Sequence, residues 1–311
     1  MSSTPPGLTW PLIEEARERI AGKVSVTPVL TSSTLDGLSG AQLHFKCENF
    51  QKGGAFKARG ATNAVFALPE SQSRRGVATH SSGNHAAALA RAAALRGIRA
   101  VARDGAEVTW CAPTQAARES AVRQVLAATG ATLIHPYDDL LVMAGQGTAA
   151  VELLRAVPDL EVLLCPVSGG GLLSGTAVAA KTLKPAIRVI GVEPAGADDA
   201  ARSLHAGRIV PVEHPNTIAD GLRATIGERP FAEIRRLVED IITVTDEAIV
   251  RAMRQLWEVM KIVVEPSGAV PYAALLDAPP ALRGRRIGII VSGGNLDLDH
   301  LPWGGAGPTG E

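Results

Sequence analysis

Short apolar runs alternate with helical patterns along this chain. GVATHS is followed by HAAALARAAALRG, EVLLCPVS by GLLSGTAVAAKTLKP, and the long EAIVRAMRQLWEVMKIVV by RRIGIIVS, while RVIGVEP forms a further apolar run. This alternation is typical of βαβ units and predicts an α/β fold of mainly parallel sheets flanked by helices. Because right-handed crossovers place loops at the carboxyl ends of parallel strands, we expect ligands to bind there.

Composition and charge narrow the class of protein. The chain has 311 residues, of which 46% are hydrophobic and 20% charged, which predicts a large buried core divided between two domains. The 31 basic residues balance 31 acidic ones. No overall field therefore draws the protein to nucleic acid or to an anionic membrane, and a small-molecule ligand is the expected partner.

The cysteines and the N-terminus indicate a cytoplasmic protein. Cys47, Cys111 and Cys165 lie far apart and form no CxxC pair, which argues against a disulfide framework or a zinc site. MSSTPPGLTW lacks the basic start and apolar stretch of a secretory signal. No apolar run approaches the roughly 20 residues of a membrane span.

One segment predicts an anion-binding site, and another predicts an activated amine. VSGGGLLSGT follows the strand-like run at 161–167 and opens a helix, so its backbone N–H groups would converge on a phosphate. It lacks the P-loop Lys-Ser/Thr pair and does not fit GxGxxG; a simple tight turn is the alternative. Lys57 lies in GGAFKARG among small residues, where partial desolvation would lower its pKa and suit a Schiff base. A solvated surface lysine is the alternative there.

Three further polar segments can each be interpreted in more than one way. Ser81, Ser82, Asn84 and His85 precede a helix, where they would either grip a carboxylate or cap the helix. Ser292 ends a strand-like run before two glycines that let a ligand approach the backbone, or that form a turn. EPAGADD crowds carboxylates in a way that suits a hard cation, although capping or solvated acids fit the spacing equally well. Six histidines show no metal-ligand spacing and are interpreted as structural or surface residues: His44, His80, His135, His205, His214 and His300.

Taken in order, FKARGA, THSSGNHAAALA, SGGGLLSG, VEPAGADD and VSGGNLDL resemble the fold type II pyridoxal phosphate enzymes, specifically the serine racemase and serine/threonine dehydratase group. The likeness runs from about Ile13 to Leu298. It implies a large cofactor-binding domain at 1–75 and 139–311, a small substrate-closing domain at 76–138, pyridoxal 5′-phosphate as cofactor, and a homodimer.

The resemblance also implies roles for individual residues. Lys57 would hold the cofactor covalently, Asn84 would contact its ring hydroxyl, and Ser292 its pyridine nitrogen. The remaining cofactor contacts would be Phe56, Ser168, Gly169, Gly170, Gly171, Leu172, Gly221 and Glu265. The substrate contacts would be Ser81, Ser82, Asn84, His85 and Arg118, with Ser82 handling the Cα proton opposite Lys57. A divalent cation (Mg, Ca or Mn) would be held by Glu193, Asp199 and the carbonyl of Ala197.

The implied activity is the dehydration and deamination of L-threonine, L-serine or 3-hydroxyaspartate to a 2-oxo acid and ammonia. A serine at 292 leaves the pyridine nitrogen largely unprotonated, which suits β-elimination. Without a β-leaving group, reprotonation from the Ser82 side would give racemisation. The chain stops soon after SGGNLDL, so no C-terminal amino-acid-sensing domain and no isoleucine feedback are expected.

One region departs from the family pattern. Between Ile98 and Gly105 the chain is shorter by on the order of 15 residues, about a helix and its loop. We therefore expect a shortened small domain, in which Asp104-Gly105 would close a hairpin. Two alternatives stay open: a cofactor-binding paralogue with weak or no catalysis, and a β-replacement enzyme of the cysteine synthase branch.

Overall fold

The computed structural model describes residues 7–81, 83–101, 109–112, 115–276 and 280–303. Its strands form two sheets, one of six strands and one of three. In chain order the strands are β1 (Val29–Leu30), β2 (Gln42–Cys47), β3 (Val77–Ala78), β4 (Ala100–Val101), β5 (Thr132–Leu133), β6 (Val162–Pro166), β7 (Arg188–Pro194), β8 (Asp240–Val244) and β9 (Arg286–Val291).

The helices pack around these sheets. They are α1 (Trp10–Ile20), α2 (Ser33–Ser39), α3 (Lys57–Ala67), α4 (Glu70–Ser73), α5 (Asn84–Arg96), α6 (Gln115–Thr129), α7 (Leu140–Ala156), α8 (Gly171–Leu183), α9 (Asp199–Ala206), α10 (Glu228–Leu237), α11 (Asp246–Met260) and α12 (Pro266–Ala273). Short 3₁₀ turns connect several of them, including the turn at 52–54 just before α3.

The six-stranded sheet has the order β1-β2-β9-β6-β7-β8 and forms the centre of the molecule. Only β1 runs antiparallel to its neighbour; the other pairs are parallel. All residues of β6 are buried, as expected of a continuous apolar run covered on both faces. Side chains of α11 and α12 cover one face, and side chains of α7, α8 and α10 cover the other. The predicted α/β architecture, with mainly parallel strands between helices, is confirmed.

The three-stranded sheet has the order β4-β3-β5 and is parallel throughout. A separate apolar cluster joins it to α3 and α5. Each strand is only two residues long. The predicted hairpin at Asp104-Gly105 falls on 102–108, outside the described residues, so the shortening of the small domain stays a prediction.

Glycines allow close contacts between α3 and α7 and between α7 and α8. A Cβ on Gly145 of α7 would lie 2.6 Å from the Cα of Gly60 in α3. A Cβ on Gly175 of α8 would lie 2.4 Å from the carbonyl oxygen of Met143 in α7. Both distances are shorter than real Cβ contacts, so only glycine permits this packing. The helix that begins at Lys57 is thereby fixed relative to the helix that begins at Gly171.

Candidate functional site

A cavity of about 760 Å³ lies where both sheets end. Such a volume is ordinary for a small-molecule site. Its wall includes most of the residues that the sequence singled out: Phe56, Lys57, Ser81, Asn84, His85, Arg118, Ser168, Gly169, Gly170, Gly171, Leu172, Gly221, Glu265 and Ser292. Ser82 lies outside the described residues. The three predicted cation ligands do not line this cavity.

Lys57 is the first residue of α3 and lies half-buried in the cavity wall. The chain just before it is tied to the end of β9, because the Phe56 N–H donates to the Ser292 carbonyl at 3.0 Å. The Lys57 Nζ donates to the Pro136 carbonyl at 2.8 Å and lies 5.1 Å from the centre of the Phe56 ring. Burial lowers the pKa of Lys57 to about 8. Part of this amine is therefore unprotonated near neutral pH and able to act as a nucleophile or base.

The glycine-rich loop follows β6 and opens α8. Gly170 has a φ of +88° and precedes the helix without a side-chain cap, so the first N–H groups of α8 have no internal partner. A Cβ on Gly169 would lie 2.3 Å from the Tyr137 ring. The Ser168 hydroxyl donates to the Ala224 carbonyl at 3.0 Å and accepts from its N–H at 2.9 Å. This geometry forms an anion cradle at a helix N-terminus.

Asn84 lies on a polar network at another side of the cavity. Its Nδ2 donates to the two Glu265 carboxylate oxygens at 3.1 and 3.2 Å, and its Oδ1 accepts from the Asn295 Nδ2 at 2.9 Å. Burial raises the pKa of Glu265 to about 7. Asn295, the last residue of the segment SGGN at 292–295, was not among the site residues predicted from the sequence.

Two groups near the start of α5 and on α6 face the same space. The His85 Nε2 lies 3.2 Å from the Ile134 carbonyl, while its Nδ1 is buried without a partner in the described structure. Burial holds the pKa of His85 well below its ordinary value, so the ring is neutral. Arg118 has no ion-pair partner among the described residues, and its Nε is buried without an acceptor. No described side chain caps α5.

Three aromatic rings that were not predicted as site residues stack beside the cavity. The His135 ring packs edge-on against His80, at 4.7 Å between centroids, and against Tyr137, at 4.6 Å. His80 and Tyr137 line the cavity. The segment HPYDD at 135–139 contains two of these rings. From the sequence, His135 was interpreted as a structural or surface residue because it shows no metal-ligand spacing.

The predicted cation ligands form a separate buried cluster. Glu193 is 0% and Asp199 1% exposed, so the alternative of solvated acids is wrong for both. Burial raises the pKa of Glu193 to about 8 and that of Asp199 to about 6. The Asp199 Oδ2 accepts from the Ile226 N–H at 2.8 Å, whereas its Oδ1 is buried without a described partner. Ala197, which lies between these two residues in the sequence, is also buried.

Across the described ranges, no cluster of three or more His, Cys, Asp or Glu side chains is arranged to hold a metal ion. A cation at Glu193 and Asp199 would therefore need backbone oxygens as well. Among the helices that the structure describes, none has the length and apolarity needed to cross a membrane.

Comparisons with known proteins identify the family of this chain. The family of pyridoxal-phosphate dependent enzymes matches residues 20–293. "Serine racemase" of Arabidopsis thaliana is 48% identical over 93% of each chain. "Beta-hydroxyaspartate dehydratase" of Paracoccus denitrificans is 48% identical over 93% of this chain and 96% of the relative. The structure of maize serine racemase superposes with a TM-score of 0.91, at 46% identity over 94% of this chain and 95% of the other. The chain belongs to the family of pyridoxal-phosphate dependent enzymes, in the branch with fold type II.

Proposed function

We propose that this protein dehydrates and deaminates a β-hydroxy amino acid to a 2-oxo acid and ammonia. The observation that carries this proposal is the Lys57 amine, whose pKa is lowered to about 8 in a cavity that also holds an uncapped helix N-terminus. The relatives named above as a racemase and a dehydratase support it.

The residues of the cavity fit pyridoxal 5′-phosphate. Lys57 would hold its aldehyde carbon, and the loop at 168–172 would hold its phosphate. Within that loop, the Tyr137 ring leaves no room for a side chain at Gly169. Asn84 would contact the ring hydroxyl and Ser292 the ring nitrogen. Phe56, Gly221 and Glu265 would complete the wall. When bound, the cofactor supplies the electron sink that weakens the bonds at Cα of an amino acid.

The chain itself supplies orientation and proton transfer. Ser81 and the first N–H groups of α5 would hold the substrate carboxylate, an assignment supported by the absence of a described side-chain cap on that helix. The unprotonated Lys57 amine takes the Cα proton as general base. Ser292 carries no charge, so it does not stabilise a protonated ring nitrogen, and loss of the β-hydroxyl is favoured.

Arg118 favours 3-hydroxyaspartate among the candidate substrates. It lines the cavity without an ion-pair partner in the described structure, and its Nε has no acceptor. A second carboxylate on the substrate side chain would pair with this guanidinium in bidentate geometry. Serine and threonine share the reacting atoms but offer no such group.

The test is a 2-oxo acid assay on the purified protein with L-serine, L-threonine and L-threo-3-hydroxyaspartate. Lys57→Ala should abolish product, whereas Lys52→Ala, at an exposed lysine nearby, should not. Arg118→Gln lowers kcat/KM for 3-hydroxyaspartate by about 10- to 100-fold, the loss of a charged hydrogen bond. Arg123→Gln on the same helix is the control. Equal losses for all three substrates would show that Arg118 does not read the side chain.

Serine racemisation is the second candidate, because relatives that bear that name share 48% of their residues with this chain. Chiral chromatography of L-serine incubations measures it, and Ser82→Ala should remove it while sparing 2-oxo acid release. Cofactor binding without either product would favour the non-catalytic alternative. Product formed only from O-acetylserine and sulfide would favour the β-replacement branch.

Four finer assignments belong to the same proposal. We propose a divalent cation at Glu193, Asp199 and the Ala197 carbonyl, supported by the buried, unpartnered Asp199 Oδ1. The domain division at 76–138 and the homodimer rest on the resemblance, and the cytoplasmic location rests on the cysteine pattern. Metal analysis, limited proteolysis, light scattering and cell fractionation test them in turn.

A further inference from the structure

The turn at 135–138 joins the small sheet to the large domain's helices, between the end of β5 and the start of α7. The side chain of its first residue, His135, accepts the hydrogen bonds that close the turn. The His135 Nδ1 accepts the Asp138 N–H at 2.9 Å and, less closely, the Tyr137 N–H at 3.4 Å. A neutral imidazole that accepts at Nδ1 carries its proton on Nε2. The side chain therefore acts as an internal acceptor for a turn that has no helix or strand to satisfy it.

This turn contacts both reactive parts of the cavity. The Pro136 carbonyl accepts from the Lys57 Nζ at 2.8 Å. The Tyr137 ring fills the space beside Gly169, where a Cβ would lie 2.3 Å away. The Tyr137 carbonyl oxygen would lie 2.9 Å from a Cβ on Gly171. A change in the turn would consequently move the partner of the amine and one wall of the anion cradle together.

The surroundings of His135 keep its acceptor available. Burial is the largest cause and the neighbouring His80 the second, and together they lower the pKa of His135 to about 4. Asp138, Lys57 and Glu119 also act on the ring electrostatically, and the two carboxylates among them do not reverse the shift. The imidazole therefore stays neutral near neutral pH, and its single proton lies on Nε2 because Nδ1 accepts from the Asp138 N–H.

We propose that His135 is a positioning residue for Lys57: its Nδ1 holds the turn that presents the Pro136 carbonyl to the free amine and seats Tyr137 beside the glycine-rich loop. The proposal goes beyond the proposed function, because it concerns the free amine whichever substrate is converted. An amine on a flexible four-carbon stem needs a fixed acceptor to stay directed at one place.

Two variants separate the acceptor from the ring. His135→Asn keeps an acceptor, since an Asn side chain bonds the N–H groups two and three residues on. His135→Phe keeps an aromatic ring for the stack but has no acceptor. The readout uses the full chain without cofactor: trace labelling of amines with acetic anhydride across pH, quantified for the Lys57 peptide by mass spectrometry. A second readout is the rate at which the absorbance band of added cofactor appears.

We expect His135→Asn to label like the wild type. His135→Phe should lower the pKa of Lys57 in the labelling profile, because the charged amine loses its acceptor. When capture is compared well above this pKa, where the amine is unprotonated in wild type and variant alike, His135→Phe should slow it on the order of tenfold, the effect of one hydrogen bond. Lys46 serves as internal reference, since it is 1% exposed and bonded to Glu152 at 2.6 Å.

Three results would overturn the proposal. Wild-type labelling of Lys57 in His135→Phe would show that the acceptor is not needed. Impairment of His135→Asn alone would assign the role to the ring. Increased labelling of Lys46 together with Lys57 in both variants would show that His135 supports the fold as a whole and does not specifically position Lys57. Because labelling requires no substrate turnover, a failure of the proposed function would leave these outcomes unchanged.

Discussion

Replacement of Arg59 by methionine tests a buried ion cluster two residues from Lys57. Arg59 donates to both oxygens of Glu48, at 2.7 and 2.8 Å, and to both oxygens of Glu152, each at 2.7 Å. Lys46 donates to Glu152 at 2.6 Å. Arg59 and Glu48 are 0% exposed, Lys46 1% and Glu152 17%. Two cations balance two anions here, and Arg59→Met leaves both carboxylates with a single ammonium group.

The expected cost follows from that imbalance. Removing one partner of a buried ion pair destabilises a protein by about 3–5 kcal/mol. Most of this penalty should come from Glu48, because Glu152 keeps Lys46 and is partly solvated. Urea unfolding of the cofactor-free protein measures it from the midpoint and slope. Arg74→Met is the matched control. The Arg74 and Glu70 side chains are 77% and 71% exposed, so their ion pair should contribute less than about 1 kcal/mol to stability.

The pH dependence gives the sign of the effect. Burial alone would raise the pKa of Glu48, but the Arg59 guanidinium outweighs it and holds the pKa below its ordinary value. In the wild type this contribution to stability is present above the ordinary pKa and is lost as pH falls through the lowered one. In Arg59→Met, burial raises the pKa of Glu48, so protonation at lower pH relieves part of the penalty.

The difference in free energy of unfolding between wild type and Arg59→Met should thus be larger at about pH 8 than at about pH 5.5. A difference below about 1 kcal/mol would refute the assignment of Arg59 as the main counter-charge. So would a difference of the same size at both pH values.

Three further predictions concern the site. The rate of cofactor capture by the cofactor-free chain should rise as pH increases through about 8, because Lys57 reacts only when unprotonated; a rise centred near pH 10 would contradict its burial. Gly169→Ala should weaken cofactor binding, measured by equilibrium titration, because its Cβ would meet Tyr137 at 2.3 Å, whereas Gly37→Ala, with nothing within 4 Å, should not. Chelation should lower the thermal midpoint of the wild type, and Asp199→Ala should remove that response; an equal response in both would place the cation elsewhere.

Several elements could be located from the sequence alone. The runs RVIGVEP and RRIGIIVS coincide with β7 and β9, because continuous apolar stretches bounded by charged residues have one good burial solution. The helical pattern of α11 continues to Val264, but the helix ends at Met260, where Lys261 adopts a φ of +59°. The Trp257 Nε1 then donates to the Val264 carbonyl at 2.9 Å. Hydrophobic periodicity cannot show this end, because the residues beyond it are also apolar.

The site was predictable where one motif follows one strand. The loops at Ser81, Ser168 and Ser292 each follow a strand, and each reaches the cavity. What the sequence could not show are the contacts between distant segments. Pro136 meets Lys57 through its backbone carbonyl, which every residue type possesses, and Asn295 meets Asn84 across 211 positions. No local pattern marks such pairs, since only the packing of the two sheets brings them together.

One physical cause sets the charge of the cavity wall. Burial favours the neutral form of every titratable group, so it lowers the pKa of Lys57 to about 8 and raises that of Glu265 to about 7. The two shifts have opposite signs and the same consequence: near neutral pH neither group carries its full charge. The guanidinium groups of Arg118 and Arg223, which both line the cavity, and the N-terminus of α8 supply positive charge to which anionic groups of cofactor and substrate would be attracted. The amine is left free for chemistry because other parts of the chain attract the anions.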